Sequence, residues 1–168
     1  GGDQLRMIDP GNGIVHRGCL IPLDLWYDVP RDVWLRPEGD GSVVLGMTDV
    51  AQTRAGKVLH ILFKKVGRRI EAGQSAATIE SAKWAGPFPS PVAGIVTATN
   101  ADAFAADILV ANRDPYELGW LVRLEPEALT DDVRDSPRMV IDVTTWPGAE
   151  RRILGYTDGH VRAVYAAE

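Results

Sequence analysis

Short apolar runs separated by Gly and Pro dominate the middle of the chain. Val, Ile, Leu and Phe are concentrated in residues 57–66, and shorter β-type runs follow at residues 69–71, 75–81 and 91–99. Runs of this length, with a turn residue every few positions, are typical of antiparallel strands rather than of a βαβ arrangement. The pattern predicts a small antiparallel sandwich or flattened barrel, in which residues 57–66 form a largely buried strand.

Turn and capping residues place the other elements. Asp40-Gly41 is a hairpin signal ahead of a strand at residues 42–46, and Thr48 suits the N-cap of a short helix that stops near Gly56. The helices are therefore expected to be few and short. Further candidates are a strand near residues 19–23, a helical turn at 101–106, strands at 120–124 and 139–144, and a helix at 126–135.

The composition is that of a folded globular protein with an acidic surface. The 168 residues fit one domain of ordinary size, and 45% hydrophobic with 24% charged residues is typical of a folded chain. A formal net charge of -5 opposes binding to nucleic acid or to an anionic membrane. No apolar run has the length of a membrane span, and no charged leader precedes an apolar core at the N-terminus. We therefore expect a cytoplasmic protein with neither nucleic acid nor membrane as a partner.

The chain offers few residues for catalysis. Cys19 is the only cysteine, which excludes an intrachain disulfide and a thiolate zinc site. His16, His60 and His160 never form a ligand-spaced pair, so each is interpreted as a packed or solvated side chain. The glycines show neither G-x-G-x-x-G nor P-loop spacing. We expect no catalytic residue and no metal site, and any redox chemistry would depend on an attached cofactor.

One lysine stands at a predicted turn. Lys83 lies in the stretch ESAKWAG, between strands expected to end near Ser81 and to begin near Pro91, which places it at an exposed hairpin tip. The other three lysines fall within or beside an apolar strand. An amine at such a tip is accessible to a modifying enzyme, and a long acid attached through an amide becomes a swinging arm on a rigid base. The ordinary alternative is a solvated turn lysine.

Four ordered sequence blocks surround this lysine. They are VVLGMTDVAQTRAGKVLHI, VGRRIEAGQSAATIESAKW, SPVAGIVTATN and NRDPYELGWLVRL. Together they resemble the glycine cleavage H-protein family, whose lipoyl lysine follows Glu-Ser-Val. Here Glu80, Ser81 and Ala82 precede Lys83. The resemblance implies lipoic acid attached to Lys83 as lipoyllysine, Glu80 recognised by the attaching enzyme, and Ser81 and Trp84 flanking the site.

The resemblance also implies a fold and a division of the chain. The family's fold is mainly β, a lipoyl/biotinyl hammerhead β-sandwich or flattened barrel with a few short helices. Residues 1–31 are then an N-terminal extension that packs on the core, residues 32–125 the lipoyl-carrier domain, and residues 126–168 a C-terminal helix and extension. Pro91 is expected to begin an edge strand and Gly94 to allow close backbone approach. The protein is expected to be a carrier and not an enzyme, because the cofactor supplies the reactive atoms.

Two family carboxylates are missing from the sequence. In glycine cleavage the arm carries a cationic aminomethyl group, and the resemblance implies carboxylates in the arm's resting cleft, one from His-Glu-Trp and one four residues beyond the lysine. Asp32, Val33 and Trp34 stand at the first place and Pro87 at the second. Asp32 remains open as a substitute from a neighbouring position. Trp84, which is expected to be exposed, and the following Gly-Pro-Phe-Pro offer an apolar surface instead.

These departures resemble the lipoate-binding proteins that accompany heterodisulfide-reductase-like complexes in sulfur oxidation. We favour a shuttle of sulfur-containing intermediates or electrons in such a system, with a glycine cleavage H protein as the alternative. The implied partners are lipoate ligase or lipoyl-transfer enzymes, dihydrolipoamide dehydrogenase, and either the heterodisulfide-reductase-like complex or the glycine cleavage enzymes. A biotin carrier shares the fold, although Ala82 and Trp84 stand where Met is usual. An unmodified binding module is the third alternative.

Overall fold

Antiparallel strands make up most of the structure, a computed structural model that describes residues 13–16, 18–22, 25–127, 140–142, 152–157 and 160–165. The described helices are α1 (Asp49–Ala55), α2 (Ala101–Ala106) and α3 (Val110–Arg113), with a 3-10 turn at Val29–Arg31. The described strands are β1 (Gly13–His16), β2 (Cys19–Pro22), β3 (Trp26–Asp28), β4 (Val33–Pro37), β5 (Val43–Met47), β6 (Val58–Phe63), β7 (Arg69–Ile70), β8 (Ser75–Ser81), β9 (Ala85–Pro89), β10 (Gly94–Thr99), β11 (Val122–Pro126), β12 (Val140–Asp142), β13 (Arg152–Thr157) and β14 (His160–Tyr165).

Two sheets form the body of the fold. One has six strands in the order β3-β4-β5-β11-β10-β7, and the other has three in the order β6-β8-β9. Their apolar side chains meet in one core cluster, to which Val33 and Leu45 come from the larger sheet and Ile79 and Phe88 from the smaller. The prediction of a mainly β sandwich with a few short helices is confirmed. The sheets remain open at their edges and do not close into a barrel.

A second apolar cluster covers the other face of the six-stranded sheet. It joins Leu20 and Ile21 of β2 to Trp34 of β4 and to Tyr116. Trp34 donates from Nε1 to the Pro115 carbonyl oxygen over 2.9 Å. Part of the N-terminal segment thus lies on the sheet, and β3 pairs with β4 inside it. The division of the chain into residues 1–31, 32–125 and 126–168 stays a prediction.

Capping residues define both ends of helix α1, as the sequence predicts. The Thr48 side chain accepts a hydrogen bond from the Ala51 N–H, and Asp49 lies in the first turn near the positive end of the helix dipole. Gly56 ends the helix with a φ of 76°, a left-handed value that costs glycine little. The chain then turns directly into β6, which brings the end of α1 beside the hairpin formed by β8 and β9.

Three sequence predictions are wrong. Strand β6 is not largely buried, because it is an edge strand whose Leu59 and Leu62 are exposed. The hairpin partner of β8 is β9, which the sequence interpretation treats as part of a loop. Pro91 does not begin an edge strand, since β10 starts at Gly94 and lies between β11 and β7.

Other predictions are confirmed or fall outside the described residues. The close approach at Gly94 is confirmed, since a Cβ there would lie 2.5 Å from the Glu125 carbonyl oxygen. The strand expected at residues 139–144 is described over Val140–Asp142. The helix expected at residues 126–135 lies outside the described residues beyond residue 127. Helix α3 has no counterpart in the sequence interpretation.

Candidate functional site

The backbone at the tip of the β8–β9 hairpin is fixed by three hydrogen bonds. The Ser81 N–H donates to the Trp84 carbonyl oxygen over 2.8 Å and closes the turn. The Ala82 N–H donates to Lys57 O over 2.9 Å, and the Lys83 N–H donates to Ala55 O over 3.1 Å. The tip is therefore tied to the α1–β6 connection, while the Lys83 side chain is exposed. This arrangement gives an accessible amine on an immobile base.

Ser81 adds a side-chain contact to the same connection. Its side chain is buried, and its hydroxyl lies 2.7 Å from Ala55 O and 2.9 Å from Trp84 O. The single hydroxyl hydrogen can bond to one of these oxygens at a time. Ser81 therefore stabilises the turn from its buried side, and its side chain does not face the solvent beside Lys83.

Asn112 of α3 holds the α1–β6 connection from the other side. Its Oδ1 accepts from the Val58 N–H over 3.0 Å, and its Nδ2 donates to Gly56 O over 2.9 Å and to Gln52 Oε1 over 3.1 Å. The hairpin tip is thus bonded to a connection that is itself bonded to α3. The sequence interpretation gives Asn112 no role, although it begins the last of the four blocks.

A cleft of about 480 Å³ opens beside Lys83. Its volume is in the range of about 300–1,000 Å³ that is usual for small-molecule sites. Met47, Ile79 and Phe88 give it an apolar floor, with Trp84 at the side. The complete lining is Pro30, Arg31, Asp32, Met47, Ala51, Arg54, Ala55, Ile79, Lys83, Trp84, Pro87, Phe88 and Pro89.

The cleft fits a lipoyl group on Lys83. The hydrocarbon chain and dithiolane ring of lipoate are apolar, and sulfur packs well against Met and aromatic side chains. Met47, Phe88 and Trp84 supply such surfaces next to the lysine. When bound, lipoate supplies a pair of sulfur atoms that interconvert between disulfide and dithiol.

Trp84 is held against the hairpin although it is exposed. Its relative exposure is 43%, so the exposure predicted for it is confirmed. A Cβ at Gly86 would lie 2.5 Å from Trp84 Cζ2, which means that the indole lies directly on the Gly86 backbone. Any side chain at position 86 would displace the indole and change the wall of the cleft.

Besides Lys83, the charged residues that line the cleft are two arginines and one aspartate. Arg54 Nη2 lies 2.9 Å from Asp32 Oδ2, and Arg31 Nη1 lies 2.6 Å from Oδ2 of the fully buried Asp28. Asp32 is the only carboxylate among the described residues that line the cleft. Asp32, which the sequence interpretation left open as a substitute carboxylate, therefore lies in the cleft. It is already paired with Arg54.

Asp32 has an unfavourable environment for its carboxyl group and an unusual backbone conformation. Burial raises the pKa of its carboxyl above the ordinary value of 3.8, the Arg54 charge opposes this shift, and the Asp28 charge adds to it. Its Oδ1 is buried without a hydrogen-bond partner among the described residues. Its backbone also has a left-handed φ of 55°, which is uncommon for a residue other than glycine.

Asp32→Asn is expected to change how stability depends on pH. A carboxyl with a raised pKa in the folded state stabilises the fold below pH 3.8, and this contribution is lost as pH rises through the folded-state pKa. The unfolding free energy of the wild type should therefore fall relative to that of Asp32→Asn as pH rises from about 4 through the folded-state pKa of Asp32. Urea unfolding of both proteins across this range measures the difference.

Asp40→Asn is the matched control for this measurement, with the opposite sign. A hydrogen bond from the Ser42 hydroxyl lowers the pKa of the exposed Asp40 carboxyl. The wild type should therefore lose stability relative to Asp40→Asn as pH falls through the folded-state pKa. A wild-type advantage over Asp32→Asn that grows with rising pH would contradict the assignment of Asp32.

Of the other candidate residues, Glu80 and Val33 lie outside the cleft and Pro87 lies in its lining. Glu80 is exposed on β8, directly opposite His60 in the β6–β8 register, and it has no ion pair among the described residues. Val33, which stands where the family carries Glu, is fully buried in the core. Pro87 lines the cleft. The structure thus brings Lys83 and Trp84 together with Asp32 and Pro87, and it leaves Glu80 on the outer face of the hairpin.

Comparison with known proteins settles the family. Residues 25–136 match the family model for the glycine cleavage H-protein. The chain belongs to the glycine cleavage H-protein family. Proteins of this family are carriers rather than catalysts, and they hold lipoate on a lysine.

Named relatives extend this comparison. Glycine cleavage system H protein 3 of Aquifex aeolicus is 47% identical over 118 residues, which cover 70% of this chain and 73% of the relative. Glycine cleavage system H protein 2 of the same organism is 42% identical over 120 residues, 71% of this chain and 74% of the relative. The crystal structure of a glycine cleavage system H protein from Mycobacterium marinum superimposes with a TM-score of 0.57 at 29% identity, over 64% of this chain and 87% of that one.

Two further features concern the described part of the chain, namely the length of its helices and its clusters of potential metal ligands. No helix there is long and apolar enough to cross a membrane. The same residues contain no group of three or more His, Cys, Asp or Glu side chains suited to hold a metal ion.

Proposed function

We propose that this H-protein family member carries lipoic acid on Lys83 and shuttles sulfur-containing intermediates or electrons in a sulfur-oxidising, heterodisulfide-reductase-like system. The exposed Lys83 side chain on a hydrogen-bonded backbone supports the attachment site. The apolar cleft beside it supports a resting place for the arm. The observation that carries the choice of cargo is the charge of the cleft.

A cationic aminomethyl cargo is poorly matched to this cleft. The only carboxylate in the described lining, Asp32, already pairs with Arg54. Arg31 and Arg54 also line the cleft, and each is already paired with one aspartate, Asp28 and Asp32 respectively, so no carboxylate is left over for a cationic cargo among the described lining residues. An amine left without a partner costs about 1–3 kcal/mol, and more when it is charged. Neutral or anionic cargo avoids this cost.

Partner enzymes follow from this function. A lipoate ligase or lipoyl-transfer enzyme would attach the cofactor, with the exposed Glu80 within reach on the hairpin that carries Lys83. Dihydrolipoamide dehydrogenase would reoxidise the arm, and the heterodisulfide-reductase-like complex would receive the cargo. The cytoplasmic location and the absence of nucleic acid and membrane partners stay predictions.

Glycine cleavage is the alternative function, and it has its own support. The relatives in Aquifex aeolicus bear the name glycine cleavage system H protein, at 47% and 42% identity. Asp32 also lies in the cleft, one position before the expected family Glu. If Arg54 moved aside, Asp32 would face an aminomethyl group.

Reconstitution with glycine cleavage enzymes separates the two functions. We expect the lipoylated protein to turn over slowly with them, at least about tenfold below an authentic H protein, because a lost charged hydrogen bond costs about 1.5–3 kcal/mol. Pro87→Asp should raise the turnover, since it returns a carboxylate to an exposed position in the cleft. Glycine turnover by the three proteins, measured at equal lipoylation, decides the matter.

Pro87→Ala is the matched control, since it removes the proline without adding a charge. It should turn over like the wild type. Wild-type turnover equal to that of the authentic H protein would overturn the proposed cargo and establish the alternative.

A further inference from the structure

We propose that the cleft beside Lys83 is a binding site for a small sulfur oxyanion, held by Arg54 and Arg31. This inference names the cargo class of the proposed sulfur carrier and rests on that function. It concerns residues that the family comparison leaves without a role.

Both guanidinium groups have donors to spare. Among the described residues, Arg54 has one carboxylate partner, Asp32, and Arg31 has one, Asp28. A guanidinium carries five N–H donors in a planar fork, and this fork matches the paired oxygens of carboxylate, phosphate and sulfonate groups. Each arginine can therefore keep its present partner and still bind an anion in the cleft.

Arg31 is held in place by its surroundings, whereas the Arg54 side chain is 55% exposed and pairs with Asp32. The partner of Arg31, Asp28, is fully buried, and the Arg31 side chain is only 31% exposed. A Cβ at Gly73 would lie 3.2 Å from Arg31 Nη2, so this guanidinium also packs on the β7–β8 turn. Arg54 lies in the last turn of α1 and is tied to Asp32. Positioned donors lose less entropy when they bind a ligand.

The formal charges around the cleft balance once the arm is attached. Attachment of lipoate converts the Lys83 amine into a neutral amide, which leaves Arg31 paired with Asp28 and Arg54 paired with Asp32. Part of the lining is apolar, and charges interact more strongly beside a low-dielectric surface than in open water. The guanidinium donors that these ion pairs leave over, and not a net positive charge, would therefore hold an anion in the cleft.

The apolar floor favours a sulfur oxyanion over phosphate. Thiosulfate has a charged sulfonate end and a polarisable terminal sulfur, whereas all faces of phosphate are strongly hydrated oxygens. With the sulfonate on Arg54, the terminal sulfur would lie in a cleft that Met47, Phe88 and Trp84 also line. Sulfur packs favourably on thioether and aromatic groups. The ligand class is thus an anion with a soft sulfur end.

Calorimetric titration of the full, unlipoylated chain with thiosulfate tests the site. We expect saturable binding with a dissociation constant of about 1 mM or lower. Arg54→Gln should weaken it about tenfold or more, since the charged hydrogen bonds are lost. Asp32→Asn should strengthen binding severalfold, because it removes the one carboxylate of the described lining. Arg54 is chosen over Arg31 because loss of Arg31 would leave the buried Asp28 without its partner.

Matched controls make each outcome decisive. Arg113→Gln replaces an exposed arginine paired with Asp107, outside the cleft lining, and it should bind thiosulfate like the wild type. Arg54→Lys keeps the charge without the fork and should lie between wild type and Arg54→Gln. Circular dichroism of each variant confirms that it is folded.

Three results would overturn the inference: heat that does not saturate, equal affinity of wild type and Arg54→Gln, or phosphate binding as tight as thiosulfate binding. The last result would make the cleft a general oxyanion site. Because the titration uses unmodified protein, its failure is separate from failure of the proposed function. The mass increment at Lys83, measured after the same preparations are incubated with lipoate, ATP and a lipoate ligase, tests the attachment on which that function depends.

Discussion

The Lys83→Arg variant is expected to take up no lipoate under conditions in which every wild-type chain gains one lipoyl group. An amide forms only on a lysine amine, because the arginine guanidinium stays protonated and is a poor nucleophile. The substitution keeps the positive charge, and the hairpin backbone is held by its own hydrogen bonds to Ala55 and Lys57. Intact mass after incubation with lipoate, ATP and a lipoate ligase gives the result directly.

Lys57→Arg is the control for this experiment. Lys57 is exposed and adjoins the hairpin tip, since its carbonyl oxygen accepts from the Ala82 N–H. The Lys57→Arg variant should gain the lipoyl group like the wild type. This result would show that a lysine next to the hairpin tip is not itself the attachment site. A biotin increment after a parallel incubation with biotin, ATP and a biotin ligase would instead establish the biotin carrier, and no increment in either incubation would establish an unmodified binding module.

Local patterns predicted those elements that local forces determine. Helix α1 follows from the Thr48 cap and the Gly56 stop, and β8 follows from its run of alternating residues. Strand β9 was missed because Pro87 and Pro89 weaken any strand prediction. In the structure β9 is an edge strand of its sheet, where an absent N–H facing away from the ladder does little harm.

The exposure of β6 shows a second limit of pattern reasoning. Its apolar residues suggested burial on both faces, yet Leu59 and Leu62 are exposed at 58% and 62%. The strand has a register irregularity between Val58 and His60, and its sheet partner lies on one side only. Which strands become edges depends on the order of strands in the sheet, and the sequence of one strand does not encode that order.

The residues of the site also fall into those that the sequence predicts and those that only the fold brings to the site. Lys83 and Trp84 were found because the ESAK motif is contiguous. Arg31, Arg54 and Asn112 were missed because they come from three separate parts of the chain, and only the fold brings the two arginines to the cleft and Asn112 to the α1–β6 connection. Their individual signals are ordinary, an arginine in a last helical turn and an asparagine in a polar block. The charge of the cleft, which bears most on the cargo, is therefore a tertiary property.

Asn112→Ala is expected to lower the free energy of unfolding by about 2–3 kcal/mol, because it leaves Val58 N–H and Gly56 O without their partner. The loss of protection at the hairpin tip should be larger than the loss of global unfolding free energy. The connection that Asn112 holds supplies the acceptors for the Ala82 and Lys83 N–H groups, so these two amides should exchange with solvent faster. Hydrogen exchange by NMR, with urea unfolding alongside, measures both.

Asn100→Ala separates this local effect from a general loss of stability. Asn100 Nδ2 donates to Leu118 O and Trp120 O over 2.8 Å each, so its removal breaks a comparable set of hydrogen bonds. None of its described hydrogen bonds reaches the connection that holds the hairpin. Asn100→Ala should therefore lower the free energy of unfolding. The hydrogen-exchange protection of the Ala82 and Lys83 amides should fall no more than this global free energy does. Equal acceleration of these amides in both variants would show that Asn112 stabilises the fold without positioning the lysine.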